Sequence, residues 1–98
     1  MRAVNWTEEA KSTFNSNLNY LHAEWNAKVV SDFLDRVDYV VELIQTNPNS
    51  FLLVNSEKNV RRCVVTKQIS LYFKIVSKDR IDLITFWNTY QNPEKLKL

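Results

Sequence analysis

The chain has 98 residues, 45% of them hydrophobic and 12% aromatic, enough apolar material for one packed domain and too much for intrinsic disorder. Glycine is absent, which excludes the Gly-rich phosphate cradles of nucleotide-binding proteins, since those need positive φ or close backbone approach; no cofactor is expected. The net charge of +2 hides a polarity along the chain: residues 1–57 hold four Lys/Arg against eight Asp/Glu, and residues 58–98 hold nine against three.

Such a basic second half suits a polyanion or an acidic partner segment. Cys63 is the sole cysteine, so no internal disulfide and no cysteine zinc site is expected, and it reads as a buried strand residue. The first residues lack the apolar core of a signal peptide, and no apolar run approaches the ~18 residues of a membrane span. The expectation is a cytoplasmic protein with no membrane contact and no bound metal. Asparagine, present eleven times, takes over from glycine at turns because it tolerates the left-handed region.

In chain order, Ala3 to Trp6 reads as a short strand with Val4 and Trp6 on one side. Thr7 can cap a following helix whose first turn carries Glu8 and Glu9, favourable against the helix dipole. That helix runs to about Glu24, with Ala10, Phe14, Leu18, Leu21 and Trp25 as one apolar stripe assigned to the core. Asn26 allows a reversal into a second helix, Ala27 to Thr46. There Val30, Phe33, Leu34, Val37, Val40, Val41 and Ile44 share a face opposite Asp32, Asp35, Arg36, Asp38 and Glu42. The pair forms an αα-hairpin, ended at Asn47-Pro48 because proline disfavours helix in the residue before it.

Phe51 to Val54 is an apolar run expected to tuck under a sheet. Three strands follow as an antiparallel meander with turns near Thr66–Ile69 and Ser77–Arg80. In the middle strand Ile69, Leu71, Phe73 and Ile75 should meet the helices, leaving Ser70, Tyr72, Lys74 and Val76 on the other face. That second face is expected to stay open or partly open and to carry Tyr72, Lys74, Lys67, Arg80 and one of Arg61 and Arg62. In the last strand Ile84 and Phe86 fall out of phase with Ile81 and Leu83, which suggests apolar area on the second face too. The predicted fold is therefore α+β, a single domain over residues 1–98: a short N-terminal strand, then an αα-hairpin packed on one face of an antiparallel sheet ending in a three-stranded meander.

In this order and spacing, several segments together resemble the RelE/ParE superfamily of type II toxin–antitoxin toxins. They are the Trp6-led entry to the first helix, Tyr20-Leu21 with Trp25 at the helix turn, Asn47-Pro48, and Val60-Arg61-Arg62. Ile69 to Ile75 and Ile81 to Trp87 continue the match. The closing stretch, Trp87-Asn88-Thr89-Tyr90-Gln91-Asn92-Pro93-Glu94-Lys95-Leu96, looks like the ParE-type ending. The resemblance implies a growth inhibitor held inactive by a cognate antitoxin. ParE-type members poison DNA gyrase, RelE-type members cleave mRNA on the ribosome, and the shared fold does not choose between them.

Cleavage by 2′-OH attack needs a base, an acid and cations that stabilise the phosphorane. By resemblance a nuclease set would draw on Arg61, Arg62, Lys67, Arg80 and Tyr90, with Tyr90 near the catalytic Tyr or His of several RelE-type members. A phenol, with an ordinary pKa of about 10, needs strong tuning for that role. His22 is placed on the first helix, away from the sheet, and no acidic residue is obviously set beside the cations. Target or antitoxin binding would use Arg61, Arg62, Lys67, Tyr72, Lys74, Arg80, Trp87, Tyr90 and Gln91. The resulting expectation is gyrase inhibition by binding, with a ribosome-dependent endoribonuclease, or a non-toxic binding protein with the toxin fold, as the alternatives.

Overall fold

The computed structural model describes residues 2–91 and 95–98; Asn92, Pro93 and Glu94 of the ParE-type ending lie outside the described residues. The elements are β1 (Ala3–Trp6), α1 (Glu8–Glu24), α2 (Ala27–Thr46), a 3-10 turn (Pro48–Ser50), β2 (Leu52–Asn55), β3 (Val60–Val64), β4 (Ile69–Ser77) and β5 (Arg80–Asn88). The strands form one sheet in the order β1-β5-β4-β3-β2, mixed because β1 runs parallel to β5 while the other neighbours are antiparallel.

The helices form where their capping residues predict. The Thr7 hydroxyl accepts a bond from Ala10 N at 3.1 Å, and the Asn26 side-chain oxygen accepts one from Val29 N at 3.1 Å, so the reversal residue is also the cap of α2. Phe33, Val37, Val40 and Ile44 of α2, with Ala10 and Leu21 of α1, meet Cys63, Ile69, Leu71, Phe73, Ile81, Leu83 and Phe86 from the sheet. Trp6, Phe14, Phe33 and Phe86 add an aromatic cluster with centroids 5.3 to 5.8 Å apart. Asn59, at φ 55°, takes the left-handed position in the β2–β3 connection.

Three expectations are corrected. Trp25 is not core: it is the residue after the last turn of α1, 53% exposed, because the chain has already left the helical path that would turn it inward; Leu34 of α2 is likewise 39% exposed. The Phe51–Val54 run does not tuck under the sheet; Leu52 to Asn55 extends the sheet as an edge strand, and Phe51 alone turns inward, edge-on to Phe73 at 5.6 Å. The phase break in the last strand is a β-bulge. Pairing steps from Tyr72↔Thr85 to Phe73↔Leu83, so Ile84 is the extra residue, and Ile81, Leu83 and Phe86 all reach the helix side with no exposed surface.

The bulge sits where β5 outruns its outer neighbour. β1 pairs only with Arg80 to Leu83, leaving the outer edge of β5 beyond that point without a strand. Side chains from the start and the interior of α1 take over. Thr7 Oγ1 donates to Leu83 O at 2.7 Å, Thr13 Oγ1 accepts from Phe86 N at 2.9 Å, and Asn17 Nδ2 donates to Phe86 O at 3.1 Å. Buried backbone polar groups need partners, which explains a 5%-exposed asparagine inside an otherwise apolar stripe.

Candidate functional site

The register defines what the helix-free face carries, because directly paired residues point to the same side. One row across the sheet is Leu52, Arg62, Tyr72 and Thr85; the next is Asn55, Val60, Lys74, Asp82 and Asn5; a third is Val64, Ser70 and Trp87. Arg61 belongs to the opposite side, in the row of Leu53, Phe73 and Leu83. Its guanidinium donates to Phe51 O at 2.8 Å and Asn49 O at 3.3 Å, while its Nε is buried with no partner among the described residues. Arg61 therefore ties the 3-10 turn to β3, and Arg62 is the member of the pair exposed on the helix-free face.

This face is not open throughout. Tyr72 and Ser70 are each 8% exposed, Val60 is 1% exposed and Thr85 is fully buried, its hydroxyl without a partner among the described residues. Tyr72 is thus a packing residue at the centre of the face, where an exposed contact residue was expected. Both helices lie on the other side, and the half-buried Trp87 shares this face with Ser70 and Tyr72. β5 ends at Asn88, beside Ile69 at one end of β4, and Lys58 Nζ donates to Leu98 O at 2.8 Å.

The charges collect at two ends. At one end Arg80 grips Asp82 in a fork, Nε to Oδ1 at 2.9 Å and Nη2 to Oδ2 at 3.0 Å, with Asn5 Nδ2 also donating to Oδ1 at 3.1 Å. The Arg80 hydrogen bonds hold the Asp82 carboxyl below the usual carboxylate range, aided by Asn5 and the charge of Lys74 and opposed by partial desolvation. The same pairing raises Arg80. An acidic residue does therefore stand beside the cations. The signal was available, because Arg80 and Asp82 are two apart on a strand and must share a face.

At the other end lie Lys67, exposed on the β3–β4 turn, together with Tyr90 and Gln91. Thr89 N donates to Gln68 O at 2.7 Å and Gln68 Nε2 to the Tyr90 hydroxyl at 3.2 Å, docking the segment after β5 onto that turn. Tyr90 is 73% exposed. Arg80 and Tyr90 flank β5 at opposite ends, roughly 25–30 Å apart at ~3.3 Å per residue, so these two members of the nuclease set do not meet. His22 is exposed in the last turn of α1, as its helical position suggested.

Beside Lys67 a second feature appears that the sequence did not reveal. Leu21, Trp25, Val29, Phe33 and Val65 line an apolar groove of about 430 Å³ between the helical turn and the β3–β4 hairpin, rimmed by Asp32, Arg36 and Lys67. Arg36 Nε donates to Val65 O at 3.1 Å and its guanidinium lies 5.4 Å from the Tyr39 ring. Burial pushes the Cys63 thiol up to about 11 despite the nearby charge of Arg36, which disfavours its thiolate.

No family model and no curated protein matches the chain. Solved structures do. The chromosomal ParDE TA system from P. aeruginosa superposes with a TM-score of 0.71 at 16% identity, over 90% of this chain and 96% of that one. A copper-bound mutant toxin from Helicobacter pylori gives 0.62 at 16% identity, covering 92% and 97%. A YoeB/ParE toxin from Agrobacterium tumefaciens gives 0.61 at 10% identity, covering 90% and 98%. The fold is that of the RelE/ParE toxins.

On this version of the toxin fold, the polar residues of the helix-free face are spread along its length. Asp82 is held ionised, which makes it a poor acid and a weak base near neutrality. Arg62 and Lys67 are exposed cations, and Trp25 with the groove beneath it supplies apolar area at the same end as Lys67. Among the described residues, no helix is long and apolar enough to cross a membrane.

Proposed function

We propose that the chain is the toxin component of a toxin–antitoxin pair, kept inactive by a cognate antitoxin and inhibiting growth by binding DNA gyrase. The observation that carries the choice of binding over cleavage is the division of the polar residues. Arg80 is committed to Asp82 at one end of β5, and Tyr90 projects at the other. A phosphoryl-transfer site needs its cations and its acid and base within a few ångströms of one phosphate. A surface that recognises an acidic protein patch has no such requirement, and dispersed cations with interleaved aromatic residues suit it.

Induced expression separates the readings. The gyrase reading expects the DNA-damage response with intact mRNA. Ribosome-dependent mRNA cleavage, without a damage response, would favour the endoribonuclease reading. That second reading draws on the cluster of Lys67 with the exposed Tyr90, whose hydroxyl Gln68 holds in place.

A further inference from the structure

A second cavity, about 480 Å³, opens where α1 runs past the end of β5 and is lined chiefly by Asn17, Tyr20, Phe86, Asn88, Tyr90 and Gln91. Among the described residues, no charged side chain lines it. It stands where the ladder of α1 side chains on the β5 edge ends. Its three amides are each tied at one end. Asn17 is 5% exposed and gives its amide protons to Thr13 O at 2.8 Å and Phe86 O at 3.1 Å, so two carbonyl partners fix its orientation and leave Oδ1 as an acceptor with no partner among the described residues. Asn88 and Gln91 are tied the other way. Asn88 Oδ1 accepts from Tyr90 N at 2.9 Å, and Gln91 Oε1 accepts from Asn88 N at 3.2 Å, which leaves their NH₂ groups as donors. Tyr20, 38% exposed, and Tyr90, its hydroxyl held by Gln68, place two aromatic rings on the lining.

We propose that this cavity binds a nucleobase through a neutral –CO–NH– edge, as carried by uracil or thymine. The base N–H would meet Asn17 Oδ1, its carbonyls would accept from the Asn88 and Gln91 amides, and the tyrosine rings would stack on its plane. The described lining, uncharged and rich in amides, suits the base better than the phosphate. The orientation of all three amides by internal bonds means that little ordering is needed when the ligand enters.

Titration with uridine, followed through the side-chain NH₂ signals of Asn88 and Gln91, tests this. Uridine should shift both signals and bind in the millimolar range, and uridine monophosphate should bind equally well. N3-methyluridine, which lacks the N–H, should lose binding at least tenfold, and Tyr20→Ala should weaken uridine by about tenfold with the protein still folded. An oligouridylate that binds far more tightly than uridine assigns the base to a single strand, and one that binds equally assigns it to a free nucleoside; either supports base recognition. Unmoved amide signals at millimolar uridine, or undiminished binding of the N3-methyl analogue, would overturn the proposal.

Discussion

Arg61 and Arg62 are adjacent in sequence and serve opposite sides of the sheet. Arg61 holds two carbonyls at the entrance to β2, so Arg61→Met should lower stability by about 1.5–3 kcal/mol, the usual worth of hydrogen bonds from a charged group. Arg62→Met, at an exposed position, should stay within about 0.5 kcal/mol in a urea melt while weakening target binding. Equal melting of the two variants would contradict the assigned faces. Alternation in the sequence required that one of the pair face the helices; only the register with Phe73 and Tyr72 says which. Asp82 was missed as a partner of Arg80 although their spacing showed it. Its carboxyl is depressed in the folded state, so its contribution to stability is present above the ordinary carboxylate pKa and disappears as pH falls through the folded value. The contribution is small because the Arg80 side chain is about half exposed. An NMR titration should find Asp82 titrating below the ordinary carboxylate range, and Arg80→Gln should move its midpoint upward; an unmoved midpoint would contradict the fork.

Among the elements, β5 departs furthest from a plain reading of the sequence. Helix boundaries and the β4 register were legible, because Thr7, Asn26 and Asn47-Pro48 punctuate the helices and Ile69 to Ile75 alternate cleanly. The bulge at Ile84 was not, since a phase break in an apolar strand reads equally well as two buried faces. Its cause is non-local: β1 is four residues long, and the edge of β5 beyond it must be satisfied by α1. Deleting Ile84 should remove the bulge and leave Leu83, Thr85 and Phe86 in plain alternation on their present faces, with cooperative unfolding kept, and Ile84→Val should cost no more than about 1.5 kcal/mol. A deletion variant that loses cooperative unfolding would show that Ile84 is not the extra residue. Phe73→Ala, at a fully buried position on β4, should cost about 3–5 kcal/mol; an unchanged denaturation midpoint would refute the register.

At the scale of the molecule, charge polarity along the chain becomes a division between an acidic outer face of α2 and cations on and around the sheet. The exposed cations Arg62 and Lys67 and the apolar groove beside Lys67 together offer a partner both charge and buried area, and binding through such cations weakens as salt rises. The proposed growth inhibition works through gyrase by binding alone. It is tested most directly by adding the purified chain to gyrase and relaxed plasmid, with a cell-free translation reaction run alongside. Supercoiling should stop, Arg62→Met should restore much of it, and translation should continue with intact mRNA. Uninhibited supercoiling together with cleavage of mRNA in the translation reaction would contradict the gyrase assignment.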